Sequence, residues 1–366
     1  MAASLFTLTV FVGGGIWLSR IPYPFAGEPV FIAAIPPPEE LKTATTAAVE
    51  PAATDESSAG LTDEDTAAEV APEPEPESAS APDYSREASI IMAAHRPLKP
   101  APIDAVTEPG PDGALPRISS KGKKPSDVYA QVTPTAVLTS GRPKIAILLG
   151  GMGLNTRLTQ KAISELPGDI TFGFAPYGEN LQSQVDKARA KGHEVLLQLP
   201  LEPVGYPGNN PGPRTLLTDA SVEDNMAALH WHMGRFSGFT GITNYLGSRF
   251  LAAPEVLKPM MLELKKRGLV YLEDATAPIS MAPAIAKETG LPMLRAAIVI
   301  DASPEAGSIA DALAQLEQEA TANGFAIGTG TGLEVTIETV AEWAREARER
   351  GLLLVPISAT YRGRMG

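Results

Sequence analysis

The chain has 366 residues, 34 of them proline and none cysteine, with a formal net charge of -13. Without cysteine there is no disulfide framework, no thiol nucleophile and no thiolate-held metal. Of the charged residues, 19 acidic and 9 basic ones precede residue 141, so the acidity belongs mostly to the N-terminal part, and nucleic acid is not an expected partner.

Residues 3–18 carry no charge and stop at Ser19-Arg20. Such a run is at the short end of the roughly 17–25 residues of a spanning helix, and no Ala-x-Ala cleavage site follows closely. Residues 1–20 therefore read as an N-terminal membrane anchor or signal segment, with the uncleaved anchor favoured. That implies membrane attachment and a periplasmic, envelope-facing domain. Residues 21–142 hold 19 of the 34 prolines, in tracts such as Ala71-Pro-Glu-Pro-Glu-Pro-Glu77. This composition predicts a disordered Pro/Ala/Glu-rich spacer held open by proline and like charges.

The folded part is expected over 143–366. Its spacing predicts strands at 145–149, 170–174, 194–199, 240–244, 269–273, 296–301, 324–328 and 352–357. Helices are expected between them at 156–166, 179–191, 221–236, 254–267, 281–289, 305–322 and 334–349. Strands such as Val195-Leu-Leu-Gln-Leu199 are nearly continuous apolar runs, as in a parallel sheet covered on both faces. Seven or eight parallel strands in this length predict an α/β fold, a distorted β/α barrel, with a doubly wound sheet as the alternative. In a barrel the functional face is the carboxyl end of the strands. That face takes Gly150, Gly151, Gln198, Glu202, Asn244, Tyr245, Arg249, Asp274, Asp301 and residues 329–332.

The glycine turns Gly150-Gly-Met-Gly153 and Gly328-Thr-Gly-Thr-Gly332 have the composition of anion cradles, but neither is a Walker loop or a dinucleotide fingerprint. His230 and His232 are two apart on a helix and do not face each other. His193 begins a strand, at the end of a barrel that serves stability. No histidines or carboxylates stand at metal-ligand spacing, and Ser248, Ser280 and Ser358 lack a nucleophile elbow. The carboxylates Glu202, Glu273, Asp274 and Asp301 fall at strand ends. Two of them could work as acid and base, or Asp274 and Asp301 could simply cap the next turn.

Residues 143–358 resemble the divergent polysaccharide deacetylase family of envelope-associated proteins. The stretches that carry the resemblance are Lys144-Ile-Ala-Ile-Leu-Leu-Gly-Gly-Met-Gly153, Gly192-His-Glu-Val-Leu-Leu-Gln-Leu-Pro-Leu-Glu-Pro203, Pro211-Gly-Pro213, Thr243-Asn-Tyr-Leu-Gly-Ser-Arg-Phe250, Leu272-Glu-Asp-Ala-Thr276 and Val299-Ile-Asp301. The resemblance implies a deacetylase-type β/α barrel and a carbohydrate substrate class. It also marks departures. The family pattern has Asp-Asp at Gly150-Gly151, a histidine in the stretch that holds Gln198, Asn-Asn-His at Thr243-Asn244-Tyr245 and Gly-His-Pro at Gly328-Thr329-Gly330. These substituted metal positions, Gly150, Gly151, Gln198, Tyr245 and Thr329, imply a pocket frame kept and a metal lost.

The expectation is a pseudoenzyme that holds an acetylated glycan or cell-wall fragment through Gln198, Asn244, Tyr245, Ser248 and Arg249, with no metal and no cofactor. One alternative is an active, metal-independent hydrolase using Asp274, Asp301 and Glu202. Another is a phosphate or nucleotide binder using the glycine turns. Within the frame, Arg249 and Asp274 are also expected as a possible structural ion pair.

Overall fold

The computed structural model describes residues 97–362. The anchor expected over residues 1–20 lies outside these residues, as does most of the spacer. Among the described residues no helix is long and apolar enough to cross a membrane.

Residues 97–142, expected as spacer, are instead built onto the domain. Strands β1 (Thr107–Gly110) and β2 (Gly113–Pro116) form an antiparallel hairpin, and two one-turn helices follow, α1 (Pro125–Val128) and α2 (Thr135–Leu138). Val106, Leu115 and Tyr129 are buried. The domain supplies polar partners as well: Arg189 donates from Nε to Lys99 O (2.9 Å) and from Nη1 to Tyr129 O (3.1 Å). Arg267 donates from Nη1 to Pro116 O at 2.8 Å. Averaged composition hid this because a few apolar anchors and partners from distant sequence are enough to order a proline-rich strap.

Beyond the strap, strand and helix alternate: β3 (Lys144–Met152), α3 (Thr156–Glu165), β4 (Thr171–Phe174), α4 (Leu181–Ala190), β5 (Val195–Leu201) and α5 (Val222–Met233). They continue through β6 (Gly241–Leu246), α6 (Pro254–Lys266), β7 (Val270–Glu273), α7 (Ala282–Thr289), β8 (Met293–Arg295) and β9 (Ile298–Val299). The series ends with α8 (Ala306–Asn323), β10 (Phe325–Thr331), α9 (Glu334–Glu349), β11 (Leu353–Leu354) and α10 (Ile357–Arg362). Local chemistry sets the helix ends. Asn155 Oδ1 accepts from Leu158 N at the start of α3, and Ser221 Oγ from Asp224 N at the start of α5. Pro254 begins α6, where its missing N–H is no loss.

The strands of the main sheet pair in parallel in the order β8-β7-β6-β5-β4-β3-β10-β9, with β11 against the start of β3. The two ends of this path belong to one segment. Ala296 N donates to Glu273 O (2.9 Å) and Ala297 N to Ile327 O (2.8 Å), so the chain passes from β7 to β10 within two residues and the sheet curls into a distorted β/α barrel. An open doubly wound sheet would keep its edges apart, which removes that alternative. Alternation along each strand gives two apolar layers. Ala146, Leu148, Leu196, Leu272 and Ile327 fill the inside, while Ile145, Ile147, Phe172, Leu197 and Ile242 pack against the helices.

The last expected strand is cut short. Pro356 follows β11 and the chain turns into α10, whose Ile357, Ala359 and Tyr361 join the inner apolar layer. Pairing of β11 with Lys144 and Ile145 puts this plug at the amino end of the barrel.

Candidate functional site

The carboxyl ends of β3 and β10 bring the two glycine turns together. Gly332 N donates to Gly150 O at 2.9 Å, and Thr331 pairs with Gly150 across the sheet. The amides that would cradle a phosphate are already used inside the protein. Gly151 N donates to Gln198 Oε1 (2.8 Å), Gly153 N to Thr159 Oγ1 (3.0 Å) and Thr331 N to Asp301 Oδ2 (2.6 Å). Leu154 N and Leu333 N donate within their own turns. The phosphate reading of these turns therefore loses its donors.

Gln198, on β5, is tied to the same place. A Cβ added to Gly150 would lie 2.6 Å from Gln198 Nε2, so the glutamine side chain fills the space that a residue with a side chain at 150 needs. The glycine and the glutamine are complementary, and the single-residue reading of the sequence did not connect them.

On β6 and β7 the expected binding residues separate into two kinds. Asn244 is fully buried: Nδ2 donates to Leu246 O (2.9 Å), and Oδ1 accepts from Asp274 N (3.0 Å) and from Tyr271 OH (3.3 Å). It ties β6 to β7 and is fully buried, so its side chain serves the frame, against its expected role at a ligand. Ser248 Oγ accepts from Val204 N at 3.0 Å and holds the loop after β5. Tyr245 is half-buried at the mouth, where burial raises its phenol pKa.

Arg249 does not pair with Asp274. It reaches Glu202 Oε1 at 2.6 Å and Asp219 Oδ2 at 3.1 Å. The other oxygen of Glu202 accepts from Thr218 N (2.6 Å) and Thr218 Oγ1 (2.7 Å). Both oxygens of this buried carboxylate are thus occupied, and Glu202 acts as the clasp of the β5 loop rather than as an acid or base. Asp219 and Thr218 carried no signal in the sequence, since charged loop residues are common and only the fold places them here.

The remaining acids are buried and protonate more readily than usual. Asp274 Oδ1 accepts from Thr276 N (2.9 Å) and Thr276 Oγ1 (2.7 Å), which is the turn-capping role. Its pKa is raised by burial against the opposing pull of Thr276 and Asn244. Asp301 Oδ2 accepts from Thr331 N and, at 3.0 Å, from Thr336 Oγ1, and burial raises its pKa too. Glu273 takes Ser280 Oγ on Oε2 at 2.8 Å. Its Oε1 lies 3.2 Å from Arg295 Nε without hydrogen-bond geometry, and burial raises its pKa. Thr329 Oγ1 donates to Asp274 O at 2.7 Å, so this substituted position also serves the frame.

The histidines stand apart. His193 Nδ1 is 2.8 Å from Ile170 O just before β5, at the amino end of the barrel. His230 Nε2 contacts Glu263 at 2.7 Å, and His232 Nε2 contacts Arg214 O at 2.8 Å. Among the described residues no three His, Cys, Asp or Glu side chains are grouped to hold a metal ion. A catalytic divalent ion of this fold takes carboxylate and imidazole ligands, and glycine, glutamine, tyrosine and threonine at the barrel mouth do not fit it.

All four non-glycine residues with positive φ among the described residues stand at or after the carboxyl ends of strands β4 to β7: Asn180 (50°), Arg214 (57°), Leu246 (57°), which ends β6, and Ala275 (68°). Backbone held in this region is sparsely populated and gathers at functional sites. The fold and mouth define a deacetylase-like β/α barrel with its polar face at the carboxyl ends of the strands.

Residues 147–361 match the family model described as divergent polysaccharide deacetylase, and the chain belongs to that family. A crystal structure of an uncharacterized protein, ATU2773 from Agrobacterium tumefaciens, is 40% identical with a TM-score of 0.65, covering 68% of this chain and 99% of that one. An uncharacterized protein of Haemophilus influenzae is 25% identical over 221 residues, 60% of this chain and 78% of its own length. The uncharacterized protein YibQ of Escherichia coli is 22% identical over 199 residues, 54% of this chain and 61% of that protein.

Proposed function

We propose that this protein binds an acetylated glycan, a cell-wall fragment in chemical class, at the mouth of the barrel, and that metal-dependent hydrolysis is lost or reduced. The observation that carries the reading is the interlock of Gly150, Gly151 and Gln198: an amide side chain sits where a carboxylate at 150 would have to stand. Tyr245 supports the binding half, because a half-exposed ring offers the apolar face of a sugar a surface while amide and hydroxyl groups take its directed hydrogen bonds. The buried, readily protonated Asp274 and Asp301 keep the metal-independent hydrolase as a second reading. Glu202 leaves that reading because both its oxygens are bonded.

Calorimetry of the full chain with N-acetylated glycan fragments, run beside an acetate-release assay with added zinc, cobalt, nickel or manganese, tests both halves. The expected outcome is binding without release, weakened about tenfold (roughly 1.4 kcal/mol) in Tyr245→Ala with little change in melting temperature. Metal-stimulated release would sink the pseudoenzyme half, and no heat with any fragment the binding half. The uncharged run at residues 3–18 supports a membrane-tethered, envelope-facing placement. Recovery of the full chain in the soluble fraction after lysis would overturn that placement.

A further inference from the structure

Beside the barrel mouth, outside the substituted metal positions, the loops after β4 and β5 and helix α5 build a second constellation. Trp231 is half-buried on α5. The Arg214 guanidinium carbon lies 4.9 Å from the Trp231 ring centroid and that of Arg235 5.0 Å, within cation–π range. Tyr177 adds its ring at 6.4 Å from Trp231 and donates from its hydroxyl to Pro213 O at 2.7 Å. A groove of about 720 Å³ opens along Tyr177, Asn180, Gln182 and Arg235.

What marks this place is cationic charge without an internal partner. Arg214 makes no side-chain hydrogen bond or ion pair among the described residues. Arg235 makes one side-chain hydrogen bond, from Nε to Pro176 O at 3.1 Å, which leaves both terminal nitrogens without an acceptor among the described residues. Glu179, the carboxylate on the groove lining, forms no ion pair with either arginine.

The pose is built in. His232 is buried next to Trp231, with ring centroids 5.0 Å apart, and its Nε2–H donates to Arg214 O. Burial first, then the Arg214 and Arg235 charges, push its pKa down to about 4, against the pull of the Arg214 carbonyl. It is therefore a neutral strut at ordinary pH. Arg214 stands at a φ of 57° and Asn180 at 50°. Gly212 has a φ of +131°, and a Cβ there would meet the Tyr177 ring at 2.7 Å. A strained arginine held by a buried histidine against an indole is a preorganised fork of donors, which suits planar oxyanions.

We propose that the surface around Trp231, with the groove that Tyr177 and Arg235 line, is a subsite for the anionic group of a sugar, a carboxylate or a phosphate, taken by Arg235 in the groove and by Arg214 on the same indole. Charge-assisted bonds from two guanidiniums supply the charge recognition, and the Trp231 and Tyr177 rings supply a face for the sugar. The anionic half is independent of the mouth reading; the sugar half rests on it, since the loops after β4 and β5 emerge on the same carboxyl face.

The test uses the full chain and four probes: N-acetylmuramic acid, N-acetylglucosamine 6-phosphate, neutral N-acetylglucosamine and inorganic phosphate. Binding is read by calorimetry and by tryptophan fluorescence, with Trp231→Phe assigning the signal. One or both acidic sugars should bind at least about tenfold tighter than the neutral one, with the advantage shrinking as salt rises. Whichever of the two binds tighter names the source of the charge. Arg214→Gln and Arg235→Gln should each erase that advantage with the melting temperature unchanged, while Tyr245→Ala should retain it. Acidic sugars that bind no tighter than the neutral one, or an advantage that survives both arginine variants, would overturn the proposal. Inorganic phosphate binding as tightly as the sugar phosphate would overturn its sugar half. A neutral sugar that fails to bind while acidic sugars still need the arginines would instead defeat the mouth reading and leave the anionic subsite standing.

Discussion

The two ends of the barrel treat polar groups differently. At the amino end, charged side chains are buried and saturated. Glu194 accepts from Gln131 N (2.6 Å) and Ser358 N (3.0 Å) as well as from Ser358 Oγ. Arg189 is spread over three backbone carbonyls, including Gly238 O at 2.9 Å. At the carboxyl end, loops stand in strained conformations, Gln198 and Tyr245 are half-buried, and Arg214 and Arg235 keep donors unused. One end closes the molecule with the strap and the last helix, and the other keeps groups available. The division follows from strand direction: the loops after parallel strands all emerge on one face and vary without disturbing the pairing that holds the other.

The comparison breaks most visibly at the strap. A chain starting at residue 140 should lose on the order of 5 kcal/mol or more relative to one starting at 97, because Arg189, Arg267 and the surface under Tyr129 are uncovered. Thermal melting and limited proteolysis of the two chains check this. Equal melting would return residues 97–139 to the spacer.

Single substitutions at the two ends should differ in size. Arg189→Met leaves three carbonyls without donors and should cost about 3 kcal/mol, a fall of roughly 6–12 °C in melting temperature. Gln198→Ala removes one acceptor at a half-open site and should cost about 1 kcal/mol. Similar losses at both ends would remove the distinction.

In the pH dependence the two ends should have opposite sign. Glu263, at the amino end, is held down to about 2, mainly by its hydrogen bond to His230 and then by Arg267. Its contribution is complete above the unfolded value near 4.5 and is lost as pH falls from there toward about 2. Asp274 and Asp301 have raised pKa values. They bind protons more readily folded than unfolded, so stability falls as pH rises from their unfolded values, near 3.8, through their folded ones. Melting curves across this range should lose much of the acid-side fall in Glu263→Gln and part of the upper slope in Asp301→Asn, with Asp274 keeping its share. A Glu263→Gln curve that keeps the full acid-side fall, or an Asp301→Asn curve that keeps the full upper slope, would contradict the assignment.

Much of the frame was legible because it is local. Apolar runs ending in glycine marked β3 and β10, and the alternating spacing marked the helices between them. The boundaries failed where distant groups decided. Ala296-Ala297 carries no sign that it bridges β7 to β10, and only Pro356 hinted that the last strand would turn into a helix. At the site, position along the strands nominated Gln198, Asn244, Tyr245, Asp274 and Asp301 correctly as residues of the carboxyl face. Their partners were out of reach: the alternative pairing of Arg249 with Asp274 gives way to Glu202 and Asp219, and Asn244, expected at a ligand, ties the β6–β7 seam.

The sequence by itself determined the alternation of strand and helix, the family and the parallel barrel, because periodicity and residue type are properties of short stretches. Only the tertiary structure decided that a proline-rich strap is part of the fold, that Gln198 fills the space over Gly150, and that two arginines from separate elements meet on Trp231. Those depend on which distant groups satisfy buried polar atoms and fill space, and no single stretch of chain records that.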